Sequence, residues 1–316
     1  MAAPASKLDL LSIADLAPEL SKLLDRALEM KAARARGDRS ATRPGVNVAL
    51  IFEKPSTRTR TSFEVAASDL GGRALFFSAK DMQLGRGETV ADTARVLSRY
   101  VDAIVYRAFR HEDVRELARH ARVPVVNALD DLEHPCQIAA DLLTLRERWP
   151  GGFGGKRLAY IGDGNNVLHS LLLGCAAVGL DLTYASPDAY RPRPEVLEAA
   201  EGLARRTGAR IVSAGSPPEA ARGADALYTD VWVSMGDEAE KEARERAFRG
   251  YQINAALVAA AAPEVWVLHD LPAHRGLEIT DEVMDGPRAA IWDQAENRLH
   301  AQKAILERLL PAPRRP

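Results

Sequence analysis

Short apolar runs alternate with amphipathic stretches along most of the chain, and that alternation predicts strands and helices in turn. In the first half, residues 46–52, 74–77, 103–106 and 125–127 read as strands, and 57–70, 89–100, 114–120 and 138–149 read as the helices between them. This order predicts a parallel β-α-β-α sheet. Pro150 and the Gly-Gly-Phe-Gly-Gly that follows it break the pattern, because proline ends a helix and glycines favour a turn or a connection. The pattern restarts with strands at 157–161, 182–185, 226–230 and 265–268, helices at 167–178 and 195–207, and a last helix at 295–310. The expectation is an α/β protein: two doubly wound parallel-sheet domains in tandem with the boundary at Pro150.

A length of 316 residues agrees with this, since one core seldom fills more than about 250 residues. Composition narrows the function classes. No apolar run approaches the roughly 18 residues of a membrane span, and a net charge of −2 with both signs interspersed gives no bulk reason to expect nucleic acid. Two cysteines, Cys136 and Cys175, are too few for a disulfide framework, and the N-terminus lacks a signal peptide's basic head and apolar stretch. The expectation is a cytoplasmic protein acting on small molecules.

In doubly wound sheets ligands gather outside the carboxyl ends of the strands, so the residues just after each apolar run are the candidates. After the first run comes Glu53-Lys54-Pro55-Ser56-Thr57-Arg58-Thr59-Arg60-Thr61. Hydroxyls and guanidiniums alternate there, where a strand turns into a helix. Backbone N–H groups at a helix start, hydroxyl donors and bidentate arginines together outline an anion site. A Ser/Thr N-cap with solvated arginines is the plainer account of an isolated Ser-Thr-Arg triplet; the position after a strand and the second arginine favour the anion.

This segment closely resembles the S-T-R-T-R pattern of the aspartate and ornithine carbamoyltransferase superfamily. The resemblance implies that Ser56, Thr57, Arg58 and Thr59 hold the phosphate of carbamoyl phosphate, that Arg58 also reaches the carbamoyl oxygen, and that Arg60 is structural. His134-Pro135-Cys136-Gln137 is similar to the family's H-P-x-Q element, which gives His134 and Gln137 contacts with the carbamoyl group. Arg107, Gln83 and Arg298, the last in Glu296-Asn297-Arg298, match residues that complete the same site in the family.

In the second half, Gly162-Asp163-Gly164-Asn165-Asn166 lacks the G-x-G-x-x-G spacing of a dinucleotide loop. It resembles G-D-G-N-N of the ornithine branch, which points to Asn166 as an amino-acid contact. Asn165 and His169 read as loop or packing residues. The D-x-x-x-S-M-G pattern at Asp230, Ser234 and Met235 resembles the ornithine enzymes rather than the aspartate enzymes, and makes these three the ornithine contacts. His269-Asp270-Leu271-Pro272 resembles H-C-L-P and departs from it at Asp270, where the family has a cysteine; the match assigns Asp270 and Leu271 to carbamoyl phosphate. The matched segments run in order from Phe52 to Ala304.

The resemblance therefore implies a carbamoyl phosphate domain over residues 1–150, to which the C-terminal helix of 295–316 returns, and an ornithine domain over 151–294. It implies transfer of a carbamoyl group from carbamoyl phosphate to the side-chain amine of L-ornithine, giving L-citrulline and phosphate. Arg58, Arg107, His134 and Asp270 are the catalytic candidates. No metal-ligand spacing occurs, and the expectation is no metal and no cofactor. A homotrimer, or a multiple of it, with sites near subunit boundaries is implied by resemblance alone. Alternatives are another acceptor (aspartate, putrescine or an acylated ornithine), or a binding protein that keeps the phosphate pocket without completing transfer.

Asp270 bears on the rate. A second carboxylate beside Asp230 holds an ammonium more tightly and opposes release of the free amine, unless the two carboxylates share a proton.

Overall fold

The computed structural model of the chain describes residues 7–39, 41–234 and 238–311. The chain divides into two compact units, Met1–Leu143 joined by Asn297–Pro316, and Thr144–Glu296.

The first unit opens with helix α1 (Leu20–Ala35), which the alternation pattern, read from residue 46 onward, leaves out. Its buried residues Leu20, Leu23, Leu24, Ala27 and Met30 recur at three- and four-residue intervals, the spacing of one helical face. There follow β1 (Asn47–Phe52), α2 (Thr57–Asp69), β2 (Arg73–Ser78), α3 (Val90–Leu97), β3 (Ala103–Arg107), α4 (His111–His120), β4 (Val125–Leu129) and α5 (Pro135–Arg148). The four strands lie in the order β2-β1-β3-β4, all parallel. Val48 to Ile51 and Ala103 to Tyr106 are fully buried, as strands covered on both faces must be.

The second unit contains β5 (Arg157–Ile161), α6 (Asn166–Val178), β6 (Asp181–Ala185), α7 (Pro194–Thr207), β7 (Ile211–Ser213), α8 (Pro217–Ala221), β8 (Ala226–Thr229), α9 (Lys241–Ala247), α10 (Ala255–Ala260), β9 (Trp266–His269), α11 (Asp281–Met284) and the start of α12 (Ile291–Leu309). Its parallel sheet has the order β7-β6-β5-β8-β9. The edge strand β7 and the helices α8 to α11 are too short to show a period in the sequence. Apolar side chains from β5, β8 and β9, among them Ile161, Leu227 and Val267, pack with Ala220, Leu257 and Ile291 into one core.

The division of units falls inside α5, a few residues before the proline that ends it, and again inside α12. Residues from Asn297 onward belong to the first unit. There Lys31 Nζ donates to Asn297 Oδ1 at 2.9 Å, and Arg26 Nε donates to Glu307 at 2.8 Å.

Each sheet has one place where the chain reverses its direction of winding. In the first it lies between β1 and β3; in the second, between β5 and β8. Adjacent crossovers there leave on opposite faces, which opens a crevice at the strands' carboxyl ends.

Candidate active site

At the first crevice, Ser56 is the N-cap of α2: its backbone is extended, and its Oγ accepts from Thr59 N at 3.2 Å. The hydroxyl hydrogen of Ser56 is left to donate outward, together with the open N–H groups of the helix start. Thr59, next along, is buried. From α12, Arg298 Nη2 donates to Thr59 Oγ1 at 3.0 Å, and Nη1 donates to Gln137 Oε1. Gln137 Nε2 in turn donates to the buried Asp141 at 2.8 Å. One guanidinium fork thus ties α2, α5 and α12 together.

Arg107 ends β3 and is 5% exposed, and Arg298 is 3% exposed. His134 immediately precedes α5, where Pro135 occupies the first helical position, which needs no N–H. Burial first, and then the charges of Arg298, Arg107 and Arg58, push the His134 pKa well below the usual imidazole value. At neutral pH the imidazole is therefore uncharged and carries one ring N–H. The charges of Arg298, Arg107 and Arg58, all felt at His134, make a positive field at the crevice, suited to a phosphate beside a carbonyl.

The loop that delivers His134 is organised by Asp130, which is fully buried. Its Oδ1 accepts from Leu132 N and Glu133 N, both at 2.8 Å, and its Oδ2 accepts from Asn127 Nδ2 at 2.8 Å and contacts His111 Nδ1 at 2.7 Å. The hydrogen bond to Asp130 raises the His111 pKa against the opposing effect of burial. Glu53 binds the loops after β1 and β3 to each other, accepting from Tyr106 Oη at 2.8 Å and Phe109 N at 2.6 Å. Nothing in the sequence pattern singled out Glu53 or Asp130.

Arg60 faces away from this cluster. Its guanidinium lies 3.6 Å from the Phe76 ring centroid and pairs with Glu64 at 2.9 Å. Gln83 sits on the exposed 3-10 turn Gln83–Arg86. Among the described residues, no hydrogen bond joins its side chain to the arginine cluster.

At the second crevice, Asn165 is the N-cap of α6, with Oδ1 accepting from Val167 N at 3.0 Å and Leu168 N at 3.3 Å. Its Nδ2 donates to Asp230 Oδ2 at 2.7 Å, while Val231 N donates to Asp230 Oδ1 at 2.6 Å. Asn165, which the sequence pattern reads as a loop or packing residue, therefore positions Asp230. An asparagine just before an apolar helix was the available signal. The neighbouring Asn166 is half-buried in the first turn of α6. His169 accepts from Arg193 N at 3.0 Å and is a packing residue.

Arg244 of α9 holds the loop after β8. Its Nη1 donates to Asp163 at 2.7 Å and to the Trp232 carbonyl at 3.2 Å, and its guanidinium lies over Tyr190. Trp232 stacks on Phe248 with ring centroids 6.0 Å apart. Ser234 follows and is half-buried; Met235 lies outside the described residues.

Next to β8, the end of β9 contributes Asp270. Ligand atoms of Asp230, His269 and Asp270 all lie within 4.8 Å of one another. Both nitrogens of His269 are already engaged: Nδ1 accepts from Leu271 N at 2.9 Å, and Nε2 meets Glu278 Oε1 at 3.1 Å. Nδ1 therefore carries no proton, and its 3.6 Å approach to Asp270 Oδ1 is not an ion pair. With the imidazole committed, a metal ion has only two carboxylates to bind, whereas an ammonium finds in them a paired acceptor.

Residues 8–147 match the family description "Aspartate/ornithine carbamoyltransferase, carbamoyl-P binding domain", and residues 154–309 match "Aspartate/ornithine carbamoyltransferase, Asp/Orn binding domain". The chain is 53% identical over 305 residues to an ornithine carbamoyltransferase of Methanoculleus marisnigri, covering 96% of this chain and 97% of that one. It is 56% identical over 302 residues to one of Acidothermus cellulolyticus, covering 94% and 95%. The solved ornithine carbamoyltransferase of Pyrococcus furiosus superposes with a TM-score of 0.91 at 49% identity, covering 97% of this chain and 98% of that one.

Proposed function

Because the chain belongs to the aspartate/ornithine carbamoyltransferase family and transfers a carbamoyl group from carbamoyl phosphate to ornithine, we propose that its two crevices divide the substrates between them. In this reading the first unit holds carbamoyl phosphate through Ser56, Thr57, Arg58, Thr59, Arg107, His134, Gln137 and Arg298. The second unit holds L-ornithine through Asn166, Asp230, Ser234 and Met235. Asp270 and Leu271 contact carbamoyl phosphate as well, as the family pattern implies.

The observation that carries this reading is the opposite charge character of the two crevices. In one, the buried Arg107 and Arg298 stand with the helix start at residues 56–59 and Gln137, and in the other the carboxylates of Asp230 and Asp270 stand together. The first suits a dianion and the second a cationic side chain.

The chemistry follows from these groups. The side-chain ammonium loses a proton, and the free amine attacks the carbamoyl carbon. Charge then grows on the carbamoyl oxygen, where Arg58, Arg107 and the neutral His134 donate. A C–N bond forms, the C–O bond to phosphate breaks with its electron pair going to the phosphate oxygen, and the proton given up by the nitrogen passes to that departing phosphate. Phosphate leaves as a dianion in the arginine-rich crevice.

Assembly as a homotrimer or a multiple of it, and a cytoplasmic location, belong to the same proposal. The family resemblance supports the first, and the exposed Gln83 turn suits a site near a subunit boundary. Among the described residues no helix is long and apolar enough to cross a membrane.

Phosphate release from carbamoyl phosphate tests the reading, with ornithine, aspartate, putrescine and N-acetylornithine as parallel acceptors and citrulline measured as the product with ornithine. Ornithine is expected to give the highest kcat/KM. Turnover with a different acceptor only, or phosphate binding with no turnover, would overturn it.

A further inference from the structure

Leu271 has φ of +61°, the one non-glycine residue with positive φ among those described. A branched side chain rarely adopts this backbone, because its Cβ crowds the carbonyl oxygen. Such a conformation persists where surrounding contacts over-determine it, and it stands here directly after Asp270.

The contacts that hold it are a chain of buried hydrogen bonds. Leu271 N donates to His269 Nδ1, and the opposite ring nitrogen donates to Glu278 Oε1. The same carboxylate oxygen accepts from His274 N at 2.5 Å. His269 N is held separately by Gln294 Oε1 at 2.9 Å. The side chains of His269 and Glu278 have no exposed surface, so these bonds meet no competition from water. An imidazole accepts at one nitrogen only while it donates at the other, so the donor role of Leu271 N fixes the tautomer as Nε2–H.

We infer that His269 and Glu278 are positioning residues: a neutral imidazole spans the turn after β9, pins Leu271 in its left-handed conformation and so sets the direction of Asp270 beside Asp230. The inference deepens the reading above and rests on it for the role of Asp270. Neither residue needs to touch a substrate. The negative charge of Glu278 is not required, only its acceptor oxygen.

Two isosteric replacements separate the halves of the clamp. In His269→Asn the amide oxygen takes the place of Nδ1 and keeps the acceptor for Leu271 N. In His269→Gln the amide nitrogen takes the place of Nε2, keeping the donor to Glu278 and losing that acceptor. A shift of Asp270 by an ångström lowers kcat/KM for ornithine by about 100-fold in His269→Gln, and His269→Asn recovers most of that loss. Glu278→Gln, which keeps the acceptor, is expected to fall by less than about threefold, whereas Glu278→Leu falls with His269→Gln.

Should the histidine variants fail to fold, ¹⁵N NMR of histidine-labelled wild-type protein gives the answer directly. The inference expects one buried imidazole protonated at Nε2 and bare at Nδ1 at the pH of the assay. Equal losses in the Asn and Gln variants, a Glu278→Gln enzyme as poor as Glu278→Leu, or a doubly protonated ring would each overturn it. Wild-type protein that makes no citrulline would overturn the functional reading instead, whatever the tautomer.

Discussion

Arg298 and Thr59 stand 239 positions apart in the chain, yet Nη2 of the first lies 3.0 Å from Oγ1 of the second. The other tine of the fork reaches Gln137. Lysine at this position keeps the charge but presents a point donor in place of a planar fork. Arg298→Lys is therefore expected to lower kcat/KM for carbamoyl phosphate by roughly 100-fold, with a smaller effect on the KM for ornithine. Steady-state kinetics with each substrate varied in turn checks this; a loss confined to ornithine would contradict it.

His134 and His111 make stability depend on pH in opposite senses. The His134 pKa is depressed in the folded protein by burial and by Arg298, Arg107 and Arg58. The unfolded chain thus takes up a proton that the folded one refuses, and the contribution of His134, complete above the ordinary value of 6.5, declines as pH falls below it. For His111 the hydrogen bond to Asp130 raises the folded pKa, so its contribution is complete below 6.5 and is lost as pH rises through the folded value. Urea unfolding of the ligand-free protein across this range is expected to show a shallower acid-side decline for His134→Gln and a shallower decline above 6.5 for His111→Gln. Parallel curves for wild type and both variants would rule out both assignments.

Asp270 stands beside Asp230, and two carboxylates stabilise the ammonium form of the acceptor. Since only the free amine attacks, Asp270→Cys is expected to raise kcat at neutral pH. Asp270→Asn, which removes the charge and keeps the shape, should move the rising limb of the pH–rate profile to lower pH by on the order of one unit. An unchanged or slower Cys variant would refute the idea that Asp270 restrains turnover.

Arg244 pairs with Asp163 while both are almost buried, and it also holds the Trp232 carbonyl. Removing one partner strands the other's charge, so Arg244→Leu is expected to cost about 3 kcal/mol of stability. Loosening of the loop that carries Ser234 should raise the KM for ornithine more than it lowers kcat. Thermal unfolding together with ornithine saturation curves tests both parts.

Among the described residues, alternating apolar runs and amphipathic stretches set out eight of the nine strands, and the three-residue edge strand β7 left too little pattern to read. The candidate residues were legible because a parallel strand delivers whatever follows it to one rim of the sheet. Hence Ser56 to Thr59 read as an anion site from local position and residue type, whereas Arg107, His134 and Asp230, also at strand ends, were singled out by their match to the family's motifs. Tertiary packing alone decided the rest. It brought Arg298 to Thr59, set Asn165 against Asp230, lowered the His134 pKa by burial and then by the charges of Arg298, Arg107 and Arg58, and held Leu271 at positive φ through His269 and Glu278. Strand period and helix caps depend on neighbours a few residues away and so are written locally. Burial, charge proximity and a clamped backbone depend on which distant segments pack together, and no short stretch of sequence carries that information.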